Sequence, residues 1–214
     1  MHRAEPLPHP APSAPAQRAG RSIDPRGGAA QADRSHPLEG EGAKPGSLEG
    51  EGAERNVLRL RDISFADVAA LLARYDLHLE RVADGVPIPG SYWGDCEAGV
   101  IGGTVFARGD TPVHSLLHEA CHLIVLPPQR RAAVHTDATD SIEEEDAVCL
   151  LQALLGDTLA GVGRARVLAD MDAWGYTFRL GSAAAYFERD ADAAWAWLIT
   201  RGLVDERRRL RLPG

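Results

Sequence analysis

The sequence predicts an α+β domain, mainly helical with a small early β-sheet, preceded by a disordered N-terminal extension. Three observations carry this. Residues 1–56 contain eight Pro and eight Gly, with only Met1, Leu7, Ile23, Leu38 and Leu48 as large apolar residues. So little apolar surface cannot offset the entropy of ordering the segment. Residues 57–214 hold all four Trp, all four Tyr and all four Phe, enough for one sizeable core. Within them, strand-like alternation comes early and helical spacing dominates afterwards.

In the extension, Leu-Glu-Gly-Glu-Gly-Ala recurs at 38–43 and 48–53. Two copies without a core are low complexity and too few for a solenoid. The folded part, 57–214, opens with Ser64 as an N-cap, followed by Phe65, Val68, Ala69, Leu72 and Tyr75 at helical spacing. Leu77 to Val82 alternates and reads as a strand. Asp84 to Gly94 is a turn-rich loop. Val100 to Ala107 reads as a second strand, with Gly102 and Gly103 marking a bulge or a close backbone approach.

Thr111-Pro112 predicts an N-cap and a proline in the first helical turn, so a helix runs to about Val125 and stops before Pro127-Pro128. Ser141 caps a second long helix through Leu155, with Gly156 placed to end it. A further helix lies between Asp157 and Trp174. Ser182 starts a short one, and Ala191 to Arg201 forms the last.

Charge narrows the function classes. The net charge is −8, and residues 57–214 carry 16 Lys/Arg against 23 Asp/Glu. Such an acidic domain is unsuited to phosphate backbones, so nucleic-acid partners are excluded. The run Glu206-Arg207-Arg208-Arg209-Leu210-Arg211 reads as a solvated helix end. No run is long and apolar enough to span a membrane, and no apolar segment follows Arg3 to form a secretory signal. Cys96, Cys121 and Cys149 are scattered and odd in number, which predicts reduced thiols in a cytoplasmic protein.

His118-Glu119-Ala120-Cys121-His122 is an HExxH motif inside the helix expected at 112–125. Residues four apart share a helix face, so both imidazoles reach one ion, and Glu119 stands where it could hold a water beside it. The expected metal is zinc, and a catalytic zinc needs a third protein ligand. Glu144 is the expected third ligand, four residues before Val148 on the apolar stripe Val148, Leu151 and Leu155. A carboxylate there needs a partner. Ser141 and Glu144 also fit a capping box, which explains a glutamate without any metal. Glu143 and Glu145 remain open as the ligand, as does His135, in the loop 13 residues after His122. His135 otherwise reads as a substrate or transition-state contact, or as a plain surface histidine. His114, one turn before His118, reads as a site-lining or packing residue. Tyr92 and Tyr176, both in Gly-rich contexts, are candidate oxyanion donors or core tyrosines.

His118, Glu119 and His122, followed 22 residues later by Glu144, resemble the zincin metallopeptidases of the gluzincin type. Glu144-x-x-Ala147 is similar to a stretch in several such families, where Val148 is replaced by Asp or Asn supporting a histidine. Residues 57–201 also resemble an uncharacterised bacterial family of small HExxH proteins. Pro89–Asp95, His118–His122, Glu144–Cys149, Asp170–Tyr176 and Phe178–Ser182 carry that likeness. The resemblance implies a zincin-like fold in which Val100 to Ala107 lines the cleft and pairs with extended substrate.

The expected function is therefore a zinc-dependent hydrolase, most simply a peptidase acting on a peptide or amide substrate. Glu119 would be the general base, with Tyr176, His135 or His114 stabilising the oxyanion. A small-molecule amidase and a non-catalytic protein whose zinc braces an interaction surface are the alternatives.

Overall fold

Ser64 accepts a hydrogen bond from the Asp67 N–H at 3.2 Å and so caps α1 (Phe65–Ala73), as its place before an apolar stripe requires. The computed structural model describes residues 56–92, 94, 96–136 and 141–214. The extension expected at 1–56 lies outside them apart from Asn56, as do Trp93 and Asp95 of the Pro89–Asp95 stretch. The described chain is mainly helical with one small early sheet, as the patterning predicts.

The sheet holds β1 (His78–Arg81), β2 (Gly99–Ile101) and β3 (Thr104–Ala107) in the order β1-β3-β2. β1 runs parallel to β3 with His78 opposite Thr104, and β2 runs antiparallel with Val100 opposite Val105. The single strand expected over 100–107 is thus a hairpin. Gly102, at φ +60°, and Gly103 turn the chain between two short strands, the two-residue connection that such glycines favour.

Among the described residues six more helices follow: α2 (Val113–Val125), α3 (Pro128–Arg131), α4 (Ile142–Gly156), α5 (Arg164–Trp174), α6 (Ala183–Arg189) and α7 (Asp192–Thr200). α4 is the centre of the molecule, packed against α2, α5 and α7. Every residue from Ala147 to Gly156 is buried, so the helix has no polar face along that length. Gly156 does more than end it. A Cβ there would stand 2.6 Å from the Val167 side chain, so glycine lets α5 approach α4 closely.

The basic run near the C-terminus is not a helix end. It is a turn closed by the Val204–Leu210 bridge, with Asp205 accepting from the Arg207 and Arg209 N–H groups at 2.9 Å. Among the described residues no helix is long and apolar enough to cross a membrane.

Candidate metal centre

α2 has no side-chain N-cap, because Pro112 occupies that position. The backbone before the sheet supplies the missing contact: the Val113 N–H donates to the Leu58 carbonyl at 2.9 Å. Leu58 in turn donates its own N–H to Asp170 of α5 at 2.9 Å. The other end is held by Arg131, whose guanidinium donates to the Leu123 carbonyl of α2 and to the Tyr75 carbonyl, both at 2.7 Å. A basic side chain on the last helical carbonyls is favourable. Every residue of α2 is buried except Glu119.

His118 and His122 lie one turn apart on α2, and Glu145 faces them from the first turns of α4. The two Nε2 atoms are 3.1 Å apart. Glu145 places one carboxylate oxygen 3.3 Å from the His118 Nε2 and the other 3.4 Å from the His122 Nε2. All three residues are buried, at 5%, 7% and 7% exposure. Donors about 2.0–2.1 Å from a tetrahedral ion lie roughly 3.3–3.4 Å from one another. The donor atoms lie close to that spacing, one Glu145 oxygen to each imidazole, and two imidazoles with one carboxylate suit zinc. Among the described residues it is the one cluster close enough to hold an ion.

The protonation states agree with this geometry. Burial opposes ionisation of Glu145, but His118 and His122 outweigh it and hold the carboxyl down at about 2. Burial also opposes charge on His118, yet the Glu145 carboxylate beside it favours the charged ring, and its pKa lies well above the ordinary value. Burial lowers His122 to about 4, so it is neutral near pH 7. A single proton shared between the two Nε2 atoms would stand where a cation would, and cation binding would release it.

The expected ligand Glu144 is not at this site. It is the third residue of α4, half-buried, with its N–H donating to the Ser141 Oγ at 3.2 Å. A helix turns 100° per residue, so the face of α4 that meets α2 carries Glu145, Cys149 and Gln152 rather than Glu144, Val148 and Leu151. Glu143 is exposed and accepts from the Ser141 hydroxyl at 2.9 Å.

His135 is also outside the cluster. It is exposed, with its Nδ1 2.8 Å from the Thr136 hydroxyl, and it pairs with Ile101 on the outer edge of β2. That pairing corrects a second expectation. The Gly102 N–H donates to the Val134 carbonyl and the Thr136 N–H to the Val100 carbonyl, while β3 is paired on both sides. The main-chain groups expected to receive an extended substrate are engaged by the protein itself.

Tyr176 does reach the site. Its ring stands edge-on to His118 at 5.9 Å and to His114 at 5.7 Å. Burial raises its pKa, so the phenol keeps its proton. His114 is 1% exposed, packs on Trp174 at 5.4 Å, and has no hydrogen-bond partner for either ring nitrogen among the described residues. Tyr92 is exposed. Sequence reasoning missed two neighbours on α4. Gln152 accepts from the His118 Nδ1 at 2.7 Å. The Cys149 thiol, raised by burial to about 11, points at Glu145 from 3.9 Å.

Compared with protein-family models, with curated proteins and with solved structures, the chain has no match.

Proposed function

We propose that the protein is a zinc-dependent hydrolase of amide bonds, a peptidase in the first instance, built like a zincin around the HExxH helix. The observation that carries this reading is the buried donor triangle of His118, His122 and Glu145 on facing helices. Zinc, when bound, supplies Lewis acidity that makes water a nucleophile at neutral pH. Glu119 follows His118 directly and is the one residue of α2 that is not buried. Its carboxylate takes a proton from the attacking water and returns it to the leaving amine. Tyr176, held protonated beside His118, donates a hydrogen bond to the oxygen that gains charge.

The engaged edge of β2 argues for a short or compact peptide, or a small amide, over a long extended one. A peptide library set beside a panel of small amides separates these. Glu119→Gln should keep zinc and lose hydrolysis by about 10²–10⁴-fold, the usual worth of a positioned general base. An equally active variant would overturn the mechanism.

A second reading rests on the burial of all three donors. In it, zinc braces α2 against α4 and no substrate reaches the ion. Inactivity of the zinc-loaded protein on both panels would favour this reading.

A further inference from the structure

The Nδ1 of His118 lies 2.7 Å from the Oε1 of Gln152, a contact between residues 34 apart in the chain. Gln152 has no measurable exposure, and His118 has 5%. An amide oxygen can only accept, so the proton of this bond belongs to the His118 Nδ1. With that nitrogen committed as a donor, the Nε2 is the atom left to offer a lone pair. It is also the atom that faces the His122 Nε2 and the Glu145 carboxylate.

We propose that Gln152 is a positioning residue of the metal centre, fixing the ring orientation and tautomer of His118 so that its Nε2 is presented to the ion. This rests on the metal reading given above. An imidazole that binds a metal almost always donates its other N–H to a carboxylate, a backbone carbonyl or water. Here the acceptor is a neutral amide on the helix that also supplies Glu145. Glu145, Cys149 and Gln152 stand at successive turns of α4, so one helix face delivers a ligand and a contact to each of two ligands. The amide nitrogen of Gln152 has no partner among the described residues. A buried unmet donor costs roughly 1–3 kcal/mol. Packing alone would be served better by Leu at this position. The acceptor oxygen is what Gln152 contributes.

The neutral acceptor also sets the charge of the centre. One glutamate leaves a bound divalent ion with a net charge of +1, and an amide does not neutralise it further. Gln152→Glu keeps the acceptor and removes the unmet donor, and so should preserve the contact. Gln152→Leu keeps the approximate volume and removes the acceptor.

The test uses the full chain, with zinc affinity measured by chelator competition and folding checked by circular dichroism. Gln152→Leu should bind zinc about 10–100-fold more weakly, the usual cost of losing such a partner. Gln152→Glu should bind at least as tightly as wild type. A second measurement needs no variant. Proton NMR of the zinc-loaded wild type should show a slowly exchanging imidazole N–H from His118 Nδ1. Rapid exchange of that proton would overturn the proposal, even if Gln152→Leu fails to fold. Zinc binding by wild type and by folded Gln152→Leu with equal affinity would overturn the proposal alone. A wild type that binds no zinc would overturn the metal reading and this inference with it.

Discussion

The Nε2 atoms of His118 and His122 face each other at 3.1 Å, with the Glu145 carboxylate bridging them from a different helix. Two like groups this close and this buried need either a shared proton or a cation between them. The first prediction concerns which carboxylate completes the pair. Glu145→Ala should lower zinc affinity by several orders of magnitude. Glu144→Ala should leave it within a few-fold of wild type and cost at most a few tenths of a kcal/mol in helix stability. Loss of zinc in Glu144→Ala, with retention in Glu145→Ala, would restore the stripe reading of α4.

That stripe shows where the sequence was legible. The HExxH helix could be found because its two histidines and their spacing lie within a single element, and α2 stops where Pro127-Pro128 predicts, although Pro112 rather than Thr111 holds its N-cap position. The third donor depends on which face of α4 meets α2, and α4 is buried all round from Ala147 onward. With no polar face to set the phase, three consecutive glutamates looked alike. The hairpin at Gly102-Gly103 carried its turn chemistry in plain view, but the short strands on either side merged into one run. Gln152 had no local signal at all, since its role exists only through a contact 34 residues away.

His114 gives a pH dependence. Burial, the main cause, holds its pKa down at about 3. The unfolded chain binds a proton there below about pH 6.5 while the native protein does not, so stability falls as pH falls. The slope is at most about 1.4 kcal/mol per pH unit between roughly 6.5 and 3. His122, lowered to about 4, adds to the same limb in metal-free protein. His114→Leu should flatten the acid limb in urea denaturation of the metal-free protein and should not destabilise it at pH 7, since two unmet ring nitrogens disappear. An acid limb superimposable on that of wild type would show that His114 is not neutral in the fold.

The domain boundary is testable to within a few residues. The Arg166 side chain donates to the Asn56 carbonyl, and the Leu58 main chain joins Asp170 to the start of α2. A chain beginning at Arg55 keeps all of these contacts and should melt within a degree or two of the full chain, with the same zinc content. A chain beginning at Leu60 loses them and should be destabilised by roughly 2–4 kcal/mol, since a buried Asp170 is left short of a donor. Equal stability of the two truncated chains would place the boundary further on.

The central claim is that His118, His122 and Glu145 hold one zinc ion. Its most direct test is elemental analysis of the purified full chain after chelator treatment and reloading, with His118→Ala/His122→Ala alongside. One zinc per wild-type chain and none in the double variant is the result this account predicts. A wild type that folds stably and takes up no zinc would contradict it.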